Sequence, residues 1–145
     1  FAKEVHSDLT GERCVLMGLI QGAFLAQYEV LRRNGHSPSE SYNETVEEAL
    51  ESLYPLISEK GMDWLYSNCS TTAQRGALDW APRFKKVIEP VIEECYKSVL
   101  NGTEASIVIS NNKKKNYRDG LNKELEEIKN HELWRIAEQL RELRK

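Results

Sequence analysis

Apolar residues along this chain recur three and four positions apart, and strict alternation of apolar and polar residues is almost absent, so the pattern predicts helices and no sheet. The longest apolar run, from Cys14 to Tyr28, lies in a helix expected over residues 10–33 and ended by Asn34-Gly35. A helix apolar nearly all round belongs at the centre of a core, and Gly18 and Gly22, one turn apart, are expected to admit another helix closely. The next start is written plainly: Ser37 as N-cap, Pro38 as first helical residue and Glu40 closing a capping box. That helix is expected to reach Ser58, with a bend at Pro55 and a stop at Gly61, and its apolar stripe is Val46, Ala49, Leu50, Leu53 and Ile57.

Downstream, the pattern predicts a short helix at 62–66 and another at 70–79. A longer one is opened by Pro82, kinked at Pro90 and closed by Asn101-Gly102. Residues 103–116 hold Ile107, Val108 and Ile109 without a partner strand and read as an extended connection. Residues 117–145 read as two helical stretches, with Leu121, Leu125, Ile128, Leu133, Ile136, Leu140 and Leu143 facing inward. The fold expected is all-α, one helical domain over residues 1–145 with six to eight helices.

Composition narrows the functional classes. A chain of 145 residues suits one domain with a real core, and a formal net charge of −3 argues against nucleic acid as a partner. Lys113, Lys114 and Lys115 sit among asparagines and read as a solvated loop. Cys14, Cys69 and Cys95 are odd in number and widely spaced, which points to a reducing compartment and not to a disulfide framework. The Cys14–Tyr28 run, interrupted by Gln21 and Gln27, reads as too short and too polar to span a bilayer. The chain opens on Phe1 and not on Met, which gives the expectation of a piece of a longer protein.

Candidate chemistry rests on two carboxylate pairs. Asp8 and Glu12, and likewise Glu44 and Glu48, are four residues apart, a spacing that sets both side chains on one helical face within reach of a common cation. Hard divalent ions such as Mg2+ take oxygen ligands of this kind. Competing readings are ordinary ones. Asp8, or Thr10, can simply cap the long apolar helix, where an acidic residue is favourable against the macrodipole, and Glu44 and Glu48 fall opposite their own apolar stripe, where an acidic face is commonly just solvated. If those glutamates bind anything, it must lie outside their own core, at a subunit or domain interface. His6, His36 and His131 are scattered without metal-ligand spacing, and neither a Glu-x-x-His pair nor a glycine-rich dinucleotide loop occurs.

The segment Ser7-Asp8-Leu9-Thr10-Gly11-Glu12-Arg13 followed by Leu16-Met17-Gly18 resembles the opening of the ketol-acid reductoisomerase helical domain. The likeness continues through Asn34-Gly35-His36-Ser37-Pro38, Tyr42-Asn43-Glu44-Thr45-Val46-Glu47-Glu48 and Cys69-Ser70-Thr71-Thr72-Ala73-Gln74-Arg75-Gly76 to the closing Glu132-Leu133-Trp134. It is nearest to the short, fungal-like or Bacteroidetes-like form, is weakest over residues 106–116, and departs at Thr10, where the family has a bulky apolar residue.

This resemblance implies a knotted, intertwined homodimer in which two Mg2+ ions promote alkyl migration on 2-acetolactate or 2-aceto-2-hydroxybutyrate. NADPH or NADH then reduces the product to a dihydroxy acid in branched-chain amino-acid biosynthesis. It assigns Asp8, Glu12, Glu44 and Glu48 to the metals, the last two offered by the facing subunit. Ser70 is assigned to the substrate carboxylate, and Glu48 to proton movement at the substrate hydroxyl. The dinucleotide-binding domain lies outside this chain, which by itself is expected to be inactive. A cytoplasmic enzyme domain without nucleic-acid or membrane partners is the reading, and a catalytically silent helical dimerisation module is the alternative.

Overall fold

A computed structural model describes residues 2–144; Phe1 and Lys145, the ends of the sequence-predicted domain, lie outside the described residues. Every regular element among the described residues is helical. In chain order they are α1 (Ala2–Arg13), α2 (Gly18–Arg33) and a third helical run, α3, built from Pro38–Tyr42, Asn43–Glu47, Ala49–Leu53 and Tyr54–Lys60 without a break. Then follow α4 (Met62–Ser67), α5 (Thr71–Leu100), α6 (Thr103–Asn112), α7 (Tyr117–Asn130) and α8 (Glu132–Glu142). Counted this way there are eight helices among the described residues, at the top of the expected range.

The boundaries that follow side-chain capping match the sequence reading. Ser37 Oγ accepts from the Glu40 amide at 3.2 Å with Pro38 in the first turn. Gly35, Gly61 and Gly102 all have positive φ, which ends α2, α3 and α5 where the chain must turn left-handed.

Four expectations are corrected. The first helix does not begin near Thr10 but near Ala2, and it is interrupted at residues 14–17. Residues 71–100 form one helix with Pro82 and Pro90 inside it. Both prolines are exposed, as are Leu78 and Lys86, whose carbonyls lose their donors, so water replaces the missing bonds. Residues 103–112 are helical, not extended, because Asn101 Oδ1 accepts from the Thr103 amide at 3.0 Å and starts a new helix despite its β-branched run. Finally Leu50, Leu53, Leu125, Ile128 and Leu143, expected to face inward, are exposed.

The core is small. Phe24 and Tyr28 of α2, Tyr42 and Val46 of α3, and Leu133 and Ala137 of α8 form one buried cluster, flanked by Trp134, Ile136 and Leu140. At its edge the Tyr28 hydroxyl donates to Glu132 Oε1 at 2.7 Å, and Arg32 Nε donates to the same oxygen at 2.6 Å. Burial, with the Glu132 carboxylate beside it, pushes the Tyr28 hydroxyl up to about 12 from an ordinary value of 10.0. A group whose folded pKa is raised contributes stability that is full below its unfolded pKa and is lost as pH rises through the folded value. The stability of the wild-type chain is therefore expected to fall between pH 10 and about 12, and Tyr28→Phe is expected to flatten that fall in denaturant titrations across the same range.

Away from this cluster the chain leaves much apolar surface bare. Phe84, Val87 and Val91 of α5 are each about 60 % exposed, at 59 %, 64 % and 63 %. They line an open groove of about 520 Å³ whose other wall includes Leu19, Gly22 and Ala26 of α2. So α2 is buried on its Phe24–Tyr28 side only, and the expectation that it sits at the centre of the core holds for one face. By length and composition alone the stretch Lys3–Arg33 is long and apolar enough to cross a membrane, as a core helix of a soluble protein also can be, so the sequence reading is not overturned. Its first turns carry Glu4, Asp8, Glu12 and Arg13, and its Phe24–Tyr28 face packs in the core.

Candidate metal centre

Asp8 and Glu12 lie on α1, both exposed, on one face as their spacing requires. Immediately after them the helix widens. The Leu16 amide donates to the Gly11 carbonyl at 3.0 Å and the Leu19 amide to the Cys14 carbonyl at 2.8 Å, both reaching back five residues instead of four. A Cβ at Gly18 would lie 2.1 Å from the Arg13 carbonyl oxygen, so this turn admits only glycine there. The close approach thus comes from the chain's own preceding turn, not from a second helix, and a Cβ at Gly22 would meet nothing within 4 Å. The expectation of helix-on-helix packing at these glycines is corrected within this chain.

Arg13 anchors this end. Its Nε donates to Glu104 Oε2 at 2.8 Å and one of its terminal nitrogens to the Leu9 carbonyl at 3.0 Å, while Ser98 Oγ donates to Glu104 Oε1 at 2.7 Å. The guanidinium and the hydroxyl hold the Glu104 carboxyl below the usual carboxylate range. Because Arg13 is committed to Glu104, its contact with Glu12 is a loose 3.9 Å, and the Glu12 carboxylate keeps its oxygens available.

Glu44 and Glu48 sit on α3 where it, too, is wide. Residues Asn43–Glu47 and Ala49–Leu53 form π turns, and the Glu48 amide donates to the Asn43 carbonyl. Buried Tyr42, Thr45 and Val46 turn inward, which leaves Glu44 and Glu48 outward and exposed. Asn43 Nδ2 donates to Glu44 Oε1 at 3.2 Å and to Glu48 Oε1 at 3.3 Å, so one amide nitrogen gathers both carboxylates. From α2, Gln27 Nε2 donates to the Glu44 carbonyl at 2.8 Å, satisfying an acceptor in the irregular turn and fixing α3 to α2. The wide turns also explain the failed apolar stripe: a residue advances less around the axis than in an α-helix, so Leu50 and Leu53 rotate out of the buried face.

Ser70 is the N-cap of α5, its Oγ accepting from the Ala73 amide at 3.2 Å. The residue is exposed, and its hydroxyl hydrogen is left to donate outward. Among the described residues no group of three or more His, Cys, Asp or Glu side chains is close enough to hold an ion within one chain. Within one chain the structure therefore keeps the two pairs apart, on α1 and α3, with Glu44 and Glu48 linked through Asn43. Their chemistry fits a hard divalent cation, being all oxygen, anionic and solvent-facing. Sequence reasoning missed Asn43 and Gln27. A spacing of five, as between Asn43 and Glu48, carries no signal in an α-helix and acquires one only in a π turn.

Comparison with known proteins covers the chain from end to end. The family model described as ketol-acid reductoisomerase, C-terminal domain, matches residues 1–145. The mitochondrial ketol-acid reductoisomerase of Saccharomyces cerevisiae is 57 % identical over 144 residues, which are 99 % of this chain and 36 % of that protein. The ketol-acid reductoisomerase (NAD(+)) of Desulfosudis oleivorans is 56 % identical over 144 residues, again 99 % of this chain and 41 % of the relative. Among solved structures, an NADH-preferring ketol-acid reductoisomerase from an uncultured archean superposes with a TM-score of 0.85 at 27 % identity, covering 99 % of this chain and 43 % of that one. The chain thus spans well under half the length of the relatives it matches.

Proposed function

Because the chain belongs to the ketol-acid reductoisomerase C-terminal domain family, we propose that it is the helical, metal- and substrate-binding part of a ketol-acid reductoisomerase. The observation that carries this reading is the outward placement of both carboxylate pairs, each beside a turn wider than α, on a chain that the family model matches throughout.

In this reading Asp8 and Glu12 of one subunit meet Glu44 and Glu48 of the partner subunit, and the four carboxylates hold two Mg2+ ions. Bound Mg2+ supplies Lewis acidity toward the oxygens of a 2-hydroxy-2-keto acid and orients the migrating alkyl group. Ser70, its acceptor side engaged by the Ala73 amide, offers its hydroxyl hydrogen to the substrate carboxylate. Glu48, one of whose oxygens accepts from Asn43, is the carboxylate proposed to take or return the proton of the substrate hydroxyl. Hydride comes from NADH or NADPH on a dinucleotide-binding domain outside this chain, so the chain by itself is inactive as a reductoisomerase.

The exposed apolar walls formed by α2 and α5 support a homodimer, since a second copy would cover them; the intertwined, knotted form belongs to this proposal. The reducing interior is taken as the cytoplasm from the bacterial likeness, and three free thiols suit it.

Thermal unfolding tests the metal part. Mg2+ in hundred-fold excess over its dissociation constant is expected to stabilise the folded chain by about 2.7 kcal/mol, seen as a raised melting temperature. An unchanged melting temperature at every Mg2+ concentration would favour a silent helical dimerisation module.

A further inference from the structure

The wide turn of α3 does something an α-helix cannot. In α geometry residues five apart diverge around the axis; in a π turn they stack. Asn43 opens such a turn, and the Glu48 amide bonds back to its carbonyl. That backbone bond brings the Asn43 side chain alongside Glu48, while Glu44 adjoins it in sequence. Nδ2 has two hydrogens and meets one oxygen of each carboxylate, at 3.2 Å and 3.3 Å. The amide can be oriented only this way, because its oxygen turned toward two carboxylates would face acceptors on both sides. Asn43 is half-buried, whereas both glutamates are exposed, and the amide engages one oxygen of each, so the second oxygen of each carboxylate is in no hydrogen bond among the described residues.

We infer that Asn43 is a positioning residue for the proposed metal centre: through its π-turn register it draws the Glu44 and Glu48 carboxylates together and presents the second oxygen of each to a divalent cation. This inference rests on the metal reading above. An amide donor lowers the repulsion between two carboxylates held close without neutralising either, so the pair remains anionic and convergent before the ion arrives. Gln27 contributes to the same end by holding the Glu44 carbonyl at 2.8 Å, but it acts on the backbone and not on the ligand oxygens.

The test is Mg2+ titration by calorimetry on the wild-type chain and on Asn43→Leu, Asn43→Gln and Glu48→Gln, with metal-free melting curves for each. Asn43→Leu keeps the bulk and removes the donor. Outer-shell partners of metal ligands are typically worth 10- to 100-fold in affinity, so Asn43→Leu is expected to bind Mg2+ roughly ten-fold more weakly, with its metal-free melting temperature unchanged. Asn43→Gln, which retains an amide donor, is expected to recover most of the affinity, as a purely structural role would not require. Affinity in Asn43→Leu equal to or above the wild-type value, while Glu48→Gln abolishes binding, would overturn the role of Asn43 and leave the metal centre standing. Equal binding by wild type and Glu48→Gln, or none by the wild type, would overturn the metal centre and this inference with it.

Discussion

Glu48→Gln is expected to lower Mg2+ affinity by on the order of a hundred-fold or more, beyond the effect of any outer-shell change, because in the proposed centre it removes an anionic ligand and not a partner of one. The substitution is close to isosteric and leaves a neutral amide. Glu48 is exposed and lies in no ion pair among the described residues, so the metal-free fold has little to lose. The contact with Asn43 changes only at its acceptor, which a glutamine oxygen still supplies. The melting temperature without metal is therefore expected to match that of the wild type within about 2 °C, since surface substitutions of this kind shift stability by less than about 0.5 kcal/mol. The rise produced by Mg2+ is expected to vanish. A mutant that still responds to Mg2+ as the wild type does would place the ion elsewhere.

The second large effect is structural. Leu133→Ala is expected to cost about 3 kcal/mol, within the span measured for leucine truncations in well-packed cores. Leu133 is 0 % exposed and shares one cluster with Phe24, Tyr42 and Val46, so the cavity left behind is walled by α2 and α3 and has little room to collapse. For a chain of this size that loss should lower the melting temperature by about 6–12 °C. The effect reaches the candidate site. α8 packs against the opening turn of α3, which sets the start of the π turns and hence the direction of Glu44 and Glu48. Mg2+ is accordingly expected to recover part of the lost stability in Leu133→Ala but none in the double variant with Glu48→Gln. A loss below about 1 kcal/mol, read from denaturant midpoints, would show that the site repacks freely.

Where capping is done by side chains, the fold was legible residue by residue. Ser37, Pro38 and Glu40 announce the start of α3, and Gly35, Gly61 and Gly102 mark the ends of α2, α3 and α5 through positive φ. What periodicity could not show were departures from the α-helix itself. The turn after Asp8 and Glu12 and the turns around Glu44 and Glu48 reach back five residues, and no residue type demands that register. Their consequences therefore escaped: the rotation of Leu50 and Leu53 outward, the glycine requirement at Gly18, and the Asn43 bridge. Prolines misled for a related reason. Pro82 read as a helix start and Pro90 as a kink, yet both lie inside one long helix on its solvent side, where each removes one bond that water replaces.

The carboxylates themselves were legible as two i, i+4 pairs, and the opposition of Glu44 and Glu48 to Val46 already turned them away from their own core. The assignment of Ser70 came from family likeness alone; its visible local role is that of a helix cap.

The claim that each metal centre is shared between two copies can be tested by complementation. One chain carries Asp8→Asn with Glu12→Gln, the other Glu44→Gln with Glu48→Gln, and the two are coexpressed with different tags so that mixed dimers can be purified. Each variant alone is expected to bind no Mg2+ in calorimetry. The mixed dimer is expected to bind with wild-type affinity at half the wild-type stoichiometry, because one of its two centres pairs intact Asp8 and Glu12 with intact Glu44 and Glu48. A mixed dimer that binds no Mg2+, beside a wild type that does, would contradict a composite centre.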